Sequence, residues 1–330
     1  ATPTMQASPT PSMTAIKKNK ITITGGSGFV GRILRSGLRN QGYEIDVFDP
    51  MRGYLVDMLR CRHLGTSPSR LARFLAPKMR RTQSGLEQSL IRNHIIRPVA
   101  DDILDLPAHL TERFRGSDAV IHLAALAHPN VPGMTAADYR RINYDGSVNV
   151  FEAARAAGVK KFVFASSAQV YNINTPKHIE QFPILETNYL PIIADGQSHY
   201  GFFKGEFERY LAQKCTGDDI QAIALRLEFP GVRSRYPWNF YISTSVENTV
   251  GGFTRALETD ISTGFSAFNL ADRYVDPKIV NIQEFLKTTW PDIPNHTAGN
   301  ECVLSTEKAR SILGYDPKQG GTYFSFNVMW

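Results

Sequence analysis

From Lys20 onward, short runs rich in β-branched and aromatic residues alternate with longer stretches whose apolar residues recur every three or four positions. The first kind reads as strand, the second as amphipathic helix. Strands are predicted at Ile21–Thr24, Glu44–Phe48, Ile95–Val99, Ala119–Leu123, Lys161–Ala165 and Ala222–Leu227, and helices over Phe29–Gln41, Tyr139–Ala157 and Tyr200–Lys214. This alternation predicts an α/β fold built on a doubly wound parallel sheet. Past Glu228 the pattern turns irregular, with prolines and aromatics, which suits a small substrate-binding lobe.

The first predicted strand runs straight into Gly25-Gly-Ser-Gly28-Phe-Val-Gly31 and then a helix. Gly25 permits the tight turn, Gly28 lets backbone approach a pyrophosphate, and Gly31 lets helix and strand pack closely. The helix start offers free N–H groups to the phosphates. The second strand ends at Asp49, eighteen residues beyond Gly31, where a carboxylate can bind both hydroxyls of an adenosine ribose. These features predict a Rossmann domain that binds NAD rather than NADP. Arg52 could accommodate a 2′-phosphate instead, and Asp49-Pro50 could be a simple turn.

The strand at Lys161–Ala165 delivers Ser166 and Ser167 at its carboxyl end, where ligands sit in an open parallel sheet. Tyr200 and Lys204 follow at i, i+4 spacing at the start of a helix, which puts phenol and ammonium on one face. A neighbouring cation lowers a tyrosine pKa, so Tyr200 is expected to exchange the alcohol proton while the nicotinamide exchanges the hydride. Ser167 is expected to bind the developing alkoxide. A bare Tyr-x-x-x-Lys also occurs as a surface helix pair; its weight here comes from its position after a dinucleotide loop.

Charge changes this picture little. The net charge is +6, with arginine concentrated between Met51 and Pro98, but no aromatic platform accompanies it. An exposed or subunit-contacting insertion over 51–97 is a better reading than nucleic-acid binding. Apolar runs fall short of the roughly 18 residues a membrane span needs. Cys61, Cys215 and Cys302 form no metal-ligand cluster and read as free thiols of a reducing, cytoplasmic compartment. Residues 1–19, rich in Pro, Ser and Thr, read as a disordered leader. The expected organisation is that leader, a Rossmann domain over 20–227 and the lobe over 228–330.

In combination, the motifs resemble the extended short-chain dehydrogenase/reductases, in the NAD-dependent epimerase/dehydratase group. The resemblance spans roughly Lys20 to Pro317. It rests on Thr24–Gly31, Asp102–Asp105, Val120–Ala125, Asn143–Ala154, Ser166–Tyr171, Tyr200–Lys204, Leu225–Leu227 and Leu304–Tyr315. It implies that Asp102 and Ile103 contact the adenine, and that Leu123, Ala124 and Ala125 line the cofactor ribose. Ser27, Phe29 and Val30 complete the phosphate loop. Tyr200 would be the acid/base, Lys204 its partner and a ribose ligand, Ser167 the alkoxide donor, and Asn143 a support from the facing helix. A homodimer acting on a small-molecule sugar or sugar derivative, with no nucleic acid, membrane or metal involved, is the expected working form.

Three departures narrow the reaction. Ala168-Gln169 stands where the family's sugar-nucleotide dehydratases carry Asp-Glu, so dehydration is not expected and Gln169 can only orient a substrate. Only about twenty residues separate Arg226 from the helix near Val246, a compactness more like the family's uronate and small-sugar-acid dehydrogenases. Arg233, Arg235, Trp238 and Tyr241 in that stretch could clasp a carboxylate or a small sugar. The 51–97 insertion is longer than the family usually has there. The first reading is an NAD-dependent oxidoreductase for a sugar, sugar acid or related hydroxy compound. The second is an NDP-sugar (UDP- or dTDP-hexose) 4-epimerase holding NAD tightly. The third is a non-catalytic NAD(P)-sensing Rossmann protein, which the intact Ser167, Tyr200 and Lys204 argue against.

Overall fold

Strands β1 (Lys20–Thr24), β3 (Ala119–His122), β4 (Lys161–Ser167) and β5 (Gln221–Leu227) are buried on both faces, as in an interior parallel sheet. The computed structural model describes residues 20–49, 102–104, 107–127, 134–174, 178–188, 198–217, 219–261 and 264–325. Among these, β2 (Glu44–Phe48) and β6 (Phe265–Leu270) complete a parallel sheet in the order β2-β1-β3-β4-β5-β6. The predicted α/β fold is therefore found. The strand expected at Ile95–Val99, the 51–97 insertion, Arg52, Cys61 and the leader lie outside the described residues.

Helices cover both faces because the strands send alternate residues to each. Ile21, Ile23, Val163, Ile223 and Leu225 pack under α1 (Phe29–Asn40) and, later in the chain, the helix Val246–Glu258. Val120, Phe162, Phe164, Ala222 and Ala224 pack on the other side, under α2 (Pro107–Phe114) and two further helices. Residues Ala136–Tyr139 (α3) open with a Thr135 capping box, pass through a π-helical turn at Arg140–Asp145, and continue as α4 (Gly146–Ala156). Helix α5 (His199–Lys214) is capped by Ser198, whose side chain accepts from Gly201 N at 3.1 Å. The helix Val246–Glu258 is α6, and Ile282–Thr289 is α7.

A third core lies beyond the carboxyl ends of β4 and β5, built from Val170, Phe182, Ile184, Phe240, Ile242 and Leu304 with Ile282 and Leu286 of α7. It draws on residues 168–173 and 179–184 as well as on the chain past 228, while β6 returns to the sheet. Sheet and lobe thus both cross the boundary expected at Leu227.

Beneath the strand ends a buried network fixes their positions. The Arg226 guanidinium donates to both Glu208 carboxylate oxygens and, through Nη1, to Tyr171 Oη at 2.7 Å. Ser166 Oγ donates to Glu208 Oε1 at 2.5 Å, and Tyr171 Oη donates to Asn269 Oδ1 at 2.6 Å. Both charges are buried, and removing either partner would strand the other at a cost of about 3–5 kcal/mol.

Candidate active site

The carboxyl ends of β1, β3, β4 and β5 open into a cleft of 990 Å³. Neighbours β1 and β3 carry chain to opposite faces of the sheet, the switch point where such folds bind ligands. At one end lie Gly25, Gly28, Phe29, Val30, Gly31 and Asp49. Gly25 has φ +70°, and Gly28 caps α1 with no side chain, leaving the first-turn N–H groups facing the cleft end. A Cβ on Gly31 would lie 2.4 Å from Gly26 O, so only glycine lets α1 pack this closely on the turn. Asp49 accepts from Ser27 N, which ties the end of β2 to the loop. Ser27 does not line the cleft, yet its Oγ is buried without a hydrogen-bond partner. A free helix start, an unsatisfied hydroxyl beside it and a carboxylate at the neighbouring strand end fit a dinucleotide.

The side walls are apolar. Asp102 and Ile103 flank one side, and Leu123, Ala124 and Ala125 follow β3 on the other. The Asp102 carboxylate accepts from Leu104 N at 3.0 Å, which shapes that short turn. Asn143 is buried behind the wall: its amide donates to Leu126 O and accepts from Leu126 N, at 3.1 and 2.8 Å. It does not line the cleft, so its place is that of a clamp on the loop after β3 rather than of a group facing substrate. His122, which sequence reasoning passed over, joins the same scaffold by bonding Thr24 and Ser147, at 2.6 and 2.8 Å. Its pKa is driven far down, first by burial and then by Lys204, so it is a neutral strut.

At the far end the structure brings together Ser167, Gln169, Tyr200 and Lys204. Ser167 ends β4, caps the following 3₁₀ turn through Gln169 N at 3.1 Å, and hydrogen-bonds the Tyr200 hydroxyl. The close approach of α5 depends on Gly201, where a Cβ would sit 2.3 Å from Gln169 O. Lys204 is buried; its Nζ donates to Ala165 O at 2.8 Å and lies 5.7 Å from the centre of the Tyr200 ring. Burial pulls the Lys204 pKa down to about 7, against the raising effect of Glu208.

One expectation is not met. The Tyr200 pKa is raised rather than lowered, although Lys204 Nζ lies near its ring. Burial first and Glu228 second push the Tyr200 pKa up, while Ser167 holds it down.

Glu228 is the residue that sequence reasoning missed. It follows β5, is buried, and lines the cleft beside Ser167 and Gln169. Gln169 Nε2 donates to one carboxylate oxygen at 3.2 Å and Ser167 Oγ to the other at 3.4 Å. Asn239 hydrogen-bonds it as well. Burial raises its pKa to about 7 against these three neutral partners.

The expected clasp of Arg233 and Arg235 does not form. Arg233 points away from the cleft, pairing with Asp276 and covering the Tyr323 ring at 4.3 Å, in a separate cavity of 430 Å³ that Tyr241 also lines. Arg235 is exposed and lines neither cavity. Trp238 does border the cleft, stacked on Tyr236 with ring centres 5.6 Å apart. Among the described residues no helix is long and apolar enough to cross a membrane, and no cluster of side chains could hold a metal ion.

Comparison with known proteins gives this geometry its context. The family model described as NAD dependent epimerase/dehydratase family matches residues 21–230. The UDP-glucose 4-epimerase of Bacillus subtilis is 28% identical over 349 residues, covering 91% of this chain and 93% of that one. The UDP-glucose 4-epimerase of Bos taurus is 32% identical over 154 residues, 46% of this chain and 38% of that one. Among solved structures, a mutated uronate dehydrogenase superposes with a TM-score of 0.57 at 20% identity, covering 91% of this chain and 82% of that one. At that identity the likeness concerns the fold.

Proposed function

From its membership of the NAD dependent epimerase/dehydratase family, which makes the chain an enzyme with NAD as cofactor, we propose that it transfers a hydride at a secondary alcohol or ketone carbon of a sugar or related small hydroxy compound. The observation that carries this reading is the single cleft that joins the Gly25–Gly31 loop and Asp49 to Ser167, Tyr200 and Lys204. When bound, NAD supplies the hydride acceptor or donor. The residues do the rest. Ser167, fixed by the turn it caps, presents its hydroxyl to the substrate oxygen. Tyr200 moves the proton at that oxygen, as acceptor when the alcohol is oxidised and as donor when the carbonyl is reduced, its raised pKa keeping it protonated at rest. Lys204, held under the Tyr200 ring by Ala165 O, sets the floor of the site and stands ready to bind a ribose hydroxyl.

Net oxidoreduction is favoured over epimerisation by the short path from β5 to α6, whose Tyr236 and Trp238 close the far end of the cleft. Epimerisation is the second reading, supported by the nearly full-length match to the Bacillus subtilis UDP-glucose 4-epimerase. Incubating the protein with NAD and a panel of aldoses while following NADH absorbance separates the two. Substrate-dependent NADH formation is expected. Epimer formation from a UDP- or dTDP-hexose, with no net NADH, would overturn the preferred reading.

A further inference from the structure

Glu228 is a buried carboxylate with no cationic partner among the described residues, and it stands at the reacting end of the cleft. A buried charge is costly unless something pairs with it, and neutral amides alone rarely suffice. Gln169, Asn239 and Ser167 hydrogen-bond Glu228, which acts electrostatically on Tyr200 of α5; Lys204 of α5 and Tyr236 of the loop after β5 line the same cleft. Lys204 is directed to Ala165 O. Arg226, two residues back on β5, is directed to Glu208 and Tyr171. The other cation lining the cleft, Arg141, is exposed on the π-helical turn and acts on Asp138. Arg233 and Arg235 both lie outside the cleft. The reacting end therefore offers a hydrogen-bond acceptor and a negative charge, where the compact lobe had suggested a receptor for an acid.

We propose that Glu228 determines substrate charge: it accepts hydrogen bonds from a hydroxyl or an ammonium group close to the reacting carbon, and it excludes substrates bearing a carboxylate there. Neutral and amino sugars enter, and uronates do not. The proposal rests on the hydride-transfer reading of the same cleft and narrows its substrate class.

The effect must depend on pH in a set direction. Above a pH of about 7 the Glu228 side chain is ionised, and below it is protonated. Discrimination against an anion therefore grows as pH rises through neutrality and fades as pH falls.

The test is calorimetric titration of the NAD-loaded protein with D-glucose, D-glucosamine and D-glucuronate, at pH values of about 6 and 8, for the wild type and for Glu228→Gln. NADH absorbance is read in the same samples. In the wild type at the higher pH, glucosamine or glucose should bind at least about tenfold more tightly than glucuronate, a modest demand on a charge in a partly desolvated cleft. That ratio should shrink at the lower pH. In Glu228→Gln it should fall to within about threefold and lose its pH dependence. Tighter binding of glucuronate by the wild type, a ratio that survives Glu228→Gln, or binding of none of the three sugars overturns the proposal. Glu228→Asp, which keeps the charge on a shorter arm, should retain the pH-dependent ratio, and losing it there would also count against the proposal. Sugar binding with no NADH formed counts against the hydride-transfer reading instead, so the two failures are distinguishable.

Discussion

The two ends of the cleft are built by different means. The phosphate end is made of backbone: glycines, a helix start without a side-chain cap and one carboxylate, all from a contiguous βαβ unit. The reacting end is made of side chains from three separate elements, namely Ser167 after β4, Tyr200 and Lys204 on α5, and Glu228 after β5. Backbone recognition tolerates little variation in sequence because the turn itself is the ligand-binding surface. Side-chain recognition depends on how elements are pressed together, so one close contact at Gly201 sets how near α5 comes to the turn after β4.

The largest expected effect isolates the reacting end. Tyr200→Phe keeps the ring and removes the oxygen bonded to Ser167, so turnover should fall by about 10² to 10⁴-fold while NAD affinity by calorimetry stays near that of the wild type. Near-normal turnover in a folded variant would remove Tyr200 from the chemistry. Lys204→Met should lower turnover and weaken NAD together, because the proposed site gives Lys204 both the floor under the Tyr200 ring and a ribose hydroxyl to bind.

A smaller effect tests the contact that joins the elements. Gly201→Ala places a methyl against Gln169 O, which forces α5 away from the 3₁₀ turn and lengthens the Ser167–Tyr200 approach. Misplacement on that scale costs up to about a hundredfold in rate, so turnover should drop by about 10- to 100-fold with NAD binding retained. Steady-state kinetics beside calorimetry decides it. Equal losses in both would mean that the two ends are coupled, and the contrast drawn here would fail.

The smallest effect belongs to the phosphate end. Asp49, placed at the loop, should favour NAD over NADP by at least about tenfold, or about 1.4 kcal/mol. Titration with both cofactors measures it, and Asp49→Ala should narrow the ratio. A preference for NADP in the wild type would show that the carboxylate is not facing the ribose.

The same contrast explains what could be read from the chain. Five strands fell within two residues of their predicted bounds, because apolar runs and helical periodicity are local signals. β6 was missed: Phe265-Ser-Ala-Phe-Asn-Leu270 lacks a β-branched run, and its Asn269 is buried only because Tyr171 and Ile184 O satisfy it. At the phosphate end, spacing alone located the loop and Asp49. At the reacting end, Ser167 and Tyr200 were legible, but Glu228 was not. A carboxylate at the end of a strand is ordinarily exposed, and its burial follows from Gln169 and Asn239 arriving from elsewhere. Arg233 and Arg235 misled for the same reason, since their directions are set by Asp276 and by solvent.

Ser166 and Ser167 sit side by side at the end of β4 yet face opposite ways, one into the buried pair Glu208–Arg226 and the other into the cleft. Adjacent residues of a strand must diverge in this way. The Ser167 hydroxyl is thereby mounted on the scaffold through its neighbour, in addition to its own bonds to Gln169, Tyr200 and Glu228. Substitutions in the loop from Phe229 to Ser245 can therefore accumulate without disturbing that mount, so long as Asn239 keeps its bond to Glu228. A lineage built on this mount is free to reshape the sugar pocket by redrafting that loop around a fixed Glu228.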